Sequence, residues 1–133
     1  MPIVYALEPN LTAKEFQNIL ITSTLAERRP ADDLDRLDKM LRNADVVVTV
    51  RDGDRLVGVS RAITDYSFCC YLSDLAVDVA YQGQGIGKKL IEETHKAAGL
   101  HTGLFLVSAP AAEGYYPKIG MKPYPCFGIP RSK

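Results

Sequence analysis

Six residues in the middle of the chain, Gln82-Gly83-Gln84-Gly85-Ile86-Gly87, have the composition of a phosphate-binding loop. They follow an alternating apolar stretch that predicts a strand, and they lead into a stretch with helical spacing. Glycines let the backbone turn tightly and approach a ligand without a Cβ in the way. The first amides of a helix lack partners within it, and the helix dipole adds positive potential there. This order of strand, turn and helix therefore predicts a site for a phosphate or pyrophosphate.

Two familiar phosphate-binding patterns do not fit this loop. The dinucleotide pattern G-x-G-x-x-G would need its last glycine at the position of Lys88. The Walker pattern G-x-x-x-x-G-K-[ST] would need a glycine at Gln82 and a serine or threonine at Lys89. An enzyme that acts on a nucleotide phosphate is therefore a distant alternative.

A third pattern, Q/R-x-x-G-x-G/A, is matched by Gln82, Gly85 and Gly87. In this the chain resembles the GCN5-related N-acetyltransferases, whose acetyl-CoA pyrophosphate loop has this form. A downstream segment, Tyr115-Tyr116-Pro117-Lys118-Ile119-Gly120-Met121, is similar to that family's aromatic-Tyr-x-Lys-x-Gly-Phe segment. The resemblance covers most of the chain. It implies transfer of an acetyl group from acetyl-CoA, the cosubstrate, to a primary amine by direct attack in a ternary complex.

The resemblance also assigns residues to the cosubstrate. The strand before the loop is expected to pair with the pantetheine arm, and its amides at Ala76 and Val77 to face the thioester carbonyl. Ordinary strand pairing is the alternative for these amides. The residues assigned to acetyl-CoA in this way are Leu75, Ala76, Val77, Gln82, Gly83, Gln84, Gly85, Ile86, Gly87 and Lys88.

Two side chains are candidates for proton transfer. Tyr116 matches the family tyrosine near the thioester sulfur, and a phenol with an ordinary pKa of about 10 can protonate a leaving thiolate at neutral pH. Plain packing is the alternative for Tyr116, and Tyr115 is expected to be the core residue of the pair. The fifth strand lacks the family's glutamate, so Asp74 is the predicted base, since burial near a site raises a carboxyl pKa. Asp74 is alternatively a substrate anchor, a group that directs a water, or part of a solvated face.

Length and composition limit the function classes. A chain of 133 residues predicts one domain over residues 1–133, and equal numbers of basic and acidic residues argue against nonspecific nucleic-acid binding. No apolar run approaches a membrane span and no signal peptide is visible, so no membrane association and a cytoplasmic location are expected. Cys69 and Cys70 are adjacent in a predicted strand and point to opposite faces, and Cys126 has no nearby histidine, so no metal site is predicted.

The predicted elements follow the order β-α-α-β-β-β-α-β-α-β, and the fold class is α/β (α+β). The resemblance implies a central mixed, mostly antiparallel sheet with about four helices, in which the fourth and fifth strands splay apart around the cofactor. The predicted strands are 3–7, 45–50, 56–63, 71–79, 104–109 and 124–129. The predicted helices start after Thr12 and after Asp32 or Asp33, and cover 86–98 and 111–118. The apolar run 104–107 predicts a buried central strand.

The acceptor is predicted to be a small-molecule amine. Residues 61–85 resemble the small arylalkylamine (serotonin-type) acetyltransferases, and the segments expected to set specificity contain Arg28, Arg29, Tyr66 and Phe68. Tyr66 and Phe68 are candidates for an aromatic-amine pocket, with loop packing an equal alternative. A polyamine, an amino acid, and a protein or peptide are further candidates for the acceptor, and a non-enzymatic acyl-CoA-binding module is a different class of function. The sequence leaves the oligomeric state open; a homodimer is a candidate, with the C-terminal strand in residues 123–129 as its candidate interface.

Overall fold

Five strands form one sheet in the order β1-β2-β3-β4-β5, and only the last pair is parallel. The computed structural model describes residues 2–132. The strands are β1 (Ile3–Leu7), β2 (Val46–Asp52), β3 (Arg55–Thr64), β4 (Cys69–Val77) and β5 (Gly103–Phe105). The helices are α1 (Ala13–Thr22), α2 (Leu34–Arg42), α3 (Ile86–Ala98) and α4 (Tyr115–Lys118). This confirms the predicted mixed, mostly antiparallel sheet with about four helices.

Local signals in the sequence begin several of these elements. The Thr12 hydroxyl accepts a hydrogen bond from the amide of Glu15 at 3.1 Å, which caps α1. Asp33 caps α2 by accepting from the amide of Arg36 at 3.1 Å. Gly53, with φ of +63°, makes the tight turn between β2 and β3. Helix α1 ends at Thr22, and a 3-10 turn over Leu25–Arg28 follows it.

The two faces of the sheet bury separate apolar clusters. The α3 core lies between the sheet and α3, and contains Val46, Val48, Val50, Leu72 and Leu90. The α1–α2 core lies on the opposite face, and contains Phe16, Leu20, Leu37, Leu41, Val47, Val59 and Ala76. Burial of each large side chain contributes roughly 1.5–3 kcal/mol, so both faces hold the sheet in place.

A β-bulge in β4 changes which core its side chains face. Arg61 of β3 pairs with Asp74, but the next residue, Ala62, pairs with Leu72, so Ser73 has no partner on β3. Leu72 belongs to the α3 core, whereas Ala76 belongs to the α1–α2 core. A bulge inserts one residue and bends the strand, and here it turns Asp74 away from the α3 core.

Strands β4 and β5 diverge after a short contact. They pair only at Cys69–Gly103, Cys70–Leu104 and Tyr71–Phe105. Beyond Tyr71, β4 continues to Val77 with no strand beside it on that edge among residues 2–132. The predicted separation of the fourth and fifth strands is therefore confirmed.

The predicted last strand at 124–129 is wrong. Residues 121–132 form no helix or strand, and the side chains of Phe127 and Ile129 are 95% and 98% exposed. Pro123, Pro125 and Pro130 lack the amide hydrogen that strand pairing requires. The role of residues 123–129 as a dimer interface stays a prediction.

No sixth strand pairs with β5 among residues 2–132, so β5 lies at the edge of the sheet. Phe105 and Val107 are 47% and 55% exposed, so the prediction of a buried central strand at 104–107 is wrong. The apolar run itself is typical of a buried strand, but its environment depends on a neighbour that the chain does not supply. The predicted helix 111–118 is shorter than expected and covers only α4, preceded by a 3-10 turn over Pro110–Ala112.

Candidate active site

A cavity of about 870 Å³ follows the gap between β4 and β5. Its volume lies within the range of small-molecule sites. The residues that the sequence assigned to the site and that line it are Leu75, Ala76, Val77, Gln82 and Tyr116. The structure thus places the strand backbone, one end of the glycine-rich loop and the predicted proton donor around one space.

The glycine-rich loop has the backbone that its sequence predicts. Gly83 and Gly85 adopt φ of +82° and +80°, which L-residues with a Cβ rarely adopt. Gly85 precedes α3 without a side-chain cap, and the first helical hydrogen bond runs from the amide of Lys89 to the carbonyl of Gly85 at 3.1 Å. The amides of Ile86 and Gly87 therefore have no partners within the helix and are available to an anion.

Polar contacts attach this loop to the end of β4. The side-chain amide of Gln82 donates to the carbonyl of Val77 at 3.0 Å, so that carbonyl is already bonded within the chain. Asp78, which is buried, accepts from the amide of Ala80 and from Arg55, each at 2.9 Å. Sequence reasoning missed Asp78, although an aspartate just after a strand is a common turn-initiating residue.

Tyr116 is half-buried and packs against the α3 core. Burial raises the pKa of its phenol, and the neighbouring Tyr115 raises that pKa further. The phenol therefore keeps its proton at neutral pH, as the predicted donor role requires. Tyr115 is the more exposed of the two, at 38%, so the expectation that it is the core residue is wrong.

The hydroxyl of Tyr115 lies at the start of α3. A Cβ added to Gly87 would lie 2.9 Å from this oxygen, which is closer than real Cβ contacts. Burial raises the pKa of Tyr115, while a hydrogen bond with the backbone of Lys88 lowers it. Gly87 therefore leaves room for a phenol next to the unpaired amides.

Asp74 is completely buried, and both its carboxylate oxygens accept hydrogen bonds from arginines. The Nε of Arg29 binds one oxygen and the Nε of Arg61 binds the other. The Nη2 atoms of the same arginines donate to the carbonyl and hydroxyl of Ser73, at 2.7 and 3.0 Å. Asp74 is not in the cavity lining, although its neighbours Ser73 and Leu75 are. The structure shows that Asp74 holds Arg29 and Arg61 in place. Its role as a base stays a prediction.

Arginines form much of the polar lining, and sequence reasoning did not group them. Five of the eight arginines in the chain line the cavity: Arg28, Arg29, Arg36, Arg61 and Arg131. Glu27 is the only acidic residue in that lining among residues 2–132. The interruption of the apolar pattern at Ser73 and Asp74 was the available signal, because a buried carboxylate requires a cationic partner.

The predicted aromatic-amine pocket is not found at this cavity. Tyr66 and Phe68 are 49% and 78% exposed, lie in the loop between β3 and β4, and do not line the cavity. The Tyr66 hydroxyl donates to the carbonyl of Asp45 at 3.1 Å, which is a loop-packing contact. Within residues 2–132, no cluster of three or more His, Cys, Asp or Glu side chains has the arrangement of a metal site. In the same part of the chain, every helix is too short or too polar to cross a membrane.

Comparisons with known proteins agree with this geometry. Residues 13–121 match the acetyltransferase (GNAT) family. The chain is 36% identical over 77 residues to "Histone acetyltransferase TAP1" of Glycine max, a match that covers 50% of this chain and 32% of that protein. It is 44% identical over 43 residues to "GCN5-related N-acetyltransferase 2, chloroplastic" of Arabidopsis thaliana, covering 32% and 17%. The chain thus spans about a third or less of these curated relatives, and a cytoplasmic location stays a prediction.

The fold is shared with solved structures. The GNAT family protein SP0256 from Streptococcus pneumoniae TIGR4 superposes with a TM-score of 0.78 at 21% identity, over 99% of this chain and 98% of that one. Similarity at this level of identity shows the fold alone. The narrower resemblance to arylalkylamine acetyltransferases stays a prediction.

Proposed function

This chain belongs to the acetyltransferase (GNAT) family, and we propose that it transfers the acetyl group of acetyl-CoA to the primary amine of a small molecule. Acetyl-CoA is the cosubstrate of this family. The observation that carries the proposal is the meeting of three features at one cavity: the gap beside β4, Gln82 at the start of the glycine-rich loop, and Tyr116. Each supports one part of the reaction.

The glycine-rich loop fits the pyrophosphate of acetyl-CoA. A Cβ added to Gly83 or Gly85 would meet no atom within 4 Å, so the space beside the loop is open to a ligand. The amides of Ile86 and Gly87 provide hydrogen-bond donors there, and the N-terminal end of α3 adds positive potential. Lys88 and Lys89 are exposed next to these amides and add positive charge.

The unpaired edge of β4 fits an extended chain with amide groups, such as the pantetheine arm. Backbone donors and acceptors on this edge, from Leu72 to Val77, have no strand beside them among residues 2–132. A ligand that runs along this edge gains hydrogen bonds in the way that an added strand does. The carbonyl of Val77 is the exception, because Gln82 occupies it.

Tyr116 is assigned as the proton donor. Acetyl-CoA supplies the acetyl thioester, whose cleavage leaves a thiolate that accepts a proton. The raised pKa of Tyr116 keeps that proton available, and its position in the cavity lining gives it access to bound molecules. The lining contains two phenols, Tyr71 and Tyr116, and Tyr116 is the one that matches the family tyrosine in the segment 115–121.

A small molecule is favoured over a protein as the acceptor because the site is concave. A cavity of about 870 Å³ that also takes the end of the cosubstrate leaves room for a compact amine. The soybean relative named as a histone acetyltransferase makes a protein lysine the second candidate. A non-enzymatic acyl-CoA-binding module is the third, and Tyr116 in the lining argues against it.

The first test is thermal unfolding with acetyl-CoA, with NADH and ATP as controls. A ligand that binds only the folded state stabilises it by about 2.7 kcal/mol at a hundredfold excess over Kd. We expect a clear rise of Tm with acetyl-CoA and none with the controls. Release of the CoA thiol is then measured with small amines and with a lysine-containing histone peptide. Turnover of the peptide alone would reject the small-molecule proposal.

The role of Tyr116 is tested by Tyr116→Phe, with Tyr124→Phe as a control because Tyr124 is 72% exposed and outside the cavity lining. General acid catalysis typically contributes a hundredfold or more, so kcat falls by about that factor in Tyr116→Phe. The KM for acetyl-CoA stays near the wild-type value, because the loop and strand edge are unchanged. Unaltered kcat in Tyr116→Phe would show that the phenol only packs.

A further inference from the structure

We propose that the acceptor amine carries an anionic group, a carboxylate or a phosphate, and that Arg28 and Arg36 bind it. The proposal rests on the acetyl transfer proposed above and names the chemical class of its acceptor. It excludes polyamines, simple arylalkylamines and lysine-rich peptides, all of which bring only positive charge to the site.

The charge of the cavity is strongly unbalanced in a chain that is neutral overall. Lysine and arginine together equal aspartate and glutamate at 16 each, yet five arginines line this one cavity beside the single acid Glu27. The N-cap Asp33 and the acids within α2, Asp35 and Asp38, are exposed and outside the lining. An excess of one charge in a concave site attracts the opposite charge and repels its own.

Two of the five arginines are held by the protein and form a fixed background. Arg29 and Arg61 share the single carboxylate of Asp74, so their combined charge is only half compensated. Their side chains are 22% and 9% exposed, and each donates one hydrogen bond to Asp74 and one to Ser73 at the bulge. The orientation of Arg29 is therefore set before any substrate arrives.

Arg29 also positions its neighbour. Its Nη1 donates to the carbonyl of Arg28 at 2.8 Å, which ties the 3-10 turn over Leu25–Arg28 to β4. The side chain of Arg28 is exposed at the cavity, and Arg36 of α2 is exposed at the same cavity. Neither forms an ion pair with a residue in the range 2–132. Guanidinium groups match the planar oxygens of carboxylates and phosphates.

The same positive potential assists the reacting amine. Nearby positive charge disfavours the ammonium form and lowers the pKa of a bound amine, which favours the neutral nucleophile. An acceptor whose anion contacts Arg28 and Arg36 is attracted to the site by that anion. Its amine is nevertheless held in a region that disfavours the ammonium. This matters because the cavity lining contains no carboxylate other than Glu27 among residues 2–132.

The test compares amines with and without the anion, and rates are expressed per concentration of neutral amine because loss of the carboxylate also lowers the pKa of an α-amine. L-amino acids are assayed against their amides, glucosamine 6-phosphate against glucosamine, and spermidine serves as a polycation. We expect at least about a tenfold higher kcat/KM for the anionic member of the preferred pair. The carboxylate and phosphate pairs distinguish the two sources of the anion.

Arg28→Gln and Arg36→Gln are expected to remove most of this preference and to leave the KM for acetyl-CoA unchanged. Lys39→Gln is the matched control, because Lys39 lies on α2, carries the same charge and is outside the cavity lining. Equal activity on the anionic and neutral members overturns the inference. A rise in the acetyl-CoA KM of Arg28→Gln, with the preference intact, overturns it as well.

A binding measurement separates this inference from the proposed function. Tm is recorded with each acceptor in the presence of CoA, where no transfer occurs. If anionic members raise Tm but no amine is acetylated, the anion site stands and the acetyl-transfer proposal fails. If amines are acetylated and anionic members neither raise Tm nor react faster than neutral ones, the anion site fails and acetyl transfer stands.

Discussion

Replacing Asp74 by asparagine removes the one negative charge between two arginines while it keeps the size of the side chain. Arg61, whose side chain is 9% exposed, is then left with a neutral partner in a buried place. Removal of one partner from a buried ion pair costs about 3–5 kcal/mol. Arg29 is 22% exposed and regains some solvation, so we expect a loss near the lower end, about 3 kcal/mol.

This loss is large enough to measure by thermal or urea unfolding. A domain of this size loses about 3–5 °C of Tm per kcal/mol, so Asp74→Asn lowers Tm by roughly 10–15 °C. The double variant Asp74→Asn with Arg61→Met removes the charge and one of its partners together, and it should be more stable than Asp74→Asn alone. The reason is that the double variant no longer contains Arg61 as a buried cation without an anionic partner, which is the main source of the loss in Asp74→Asn.

The outcome decides between the two roles of Asp74. If Asp74 anchors arginines, stability falls and the KM for the acceptor rises as Arg29 loosens, while kcat changes less. If Asp74→Asn unfolds within about 1 kcal/mol of the wild type and kcat collapses, the anchoring argument is refuted and Asp74 acts as the base.

Three further predictions concern the glycine-rich loop, Tyr116 and the turn that contains Asp65. Gly85→Ala should lower the free energy of unfolding by about 1–2 kcal/mol and weaken acetyl-CoA binding in a thermal-shift titration, because φ of +80° strains any residue with a Cβ. Gly87→Ala should lower it by less, because the Tyr115 hydroxyl, 2.9 Å from the added Cβ, can move. When kcat is plotted against pH, its decrease at alkaline pH should occur above the ordinary tyrosine pKa, because burial raises the pKa of Tyr116. This decrease should be absent in Tyr116→Phe. A decrease that begins below about pH 9 would contradict the assignment. Asp65 accepts hydrogen bonds from the backbone amides of residues 67–69, which lower its pKa to about 2. Its contribution to stability is therefore full above its ordinary pKa and is lost as pH falls towards about 2, whereas Asp65→Asn should lack this dependence in pH-resolved unfolding.

The sequence predicts the local part of this fold well. Helix α3 begins and ends where the glycines predict, the caps at Thr12 and Asp33 form, and the Asp52-Gly53 turn joins two strands. These features depend on residues within about four positions of one another, so propensity and capping chemistry suffice. The glycine-rich loop belongs to the same class, since its turn, its φ values and its helix start are encoded in consecutive residues.

Features that depend on distant partners were not predictable in this way. The run 104–107 has the composition of a buried strand, but it lies at an edge because the proline-rich residues 123–130 do not pair with it. The interruption of the apolar pattern at Ser73 and Asp74 indicates a need for a cationic partner but does not identify it. Asp74 binds Arg29, 45 positions away, and Arg61, 13 positions away. The grouping of arginines at the cavity depends on the same tertiary contacts, which periodicity does not contain.

The unpaired Ser73 gives this chain an unusual response to the loss of a residue. Deletion of one residue inside a strand normally moves every later side chain to the other face. Here Ser73 is already the extra residue, so deletion of Ser73 would leave Leu72 and Leu75 on the side of the α3 core, with Asp74 still opposite. We expect this variant to fold, as circular dichroism would show, with a straighter β4. In such a variant, β4 would pair with β5 over more residues and the gap between these strands would close. The rise of Tm with acetyl-CoA would therefore disappear. In this protein, the presence of one residue, Ser73, would then decide whether β4 and β5 form a binding cleft or a continuous sheet.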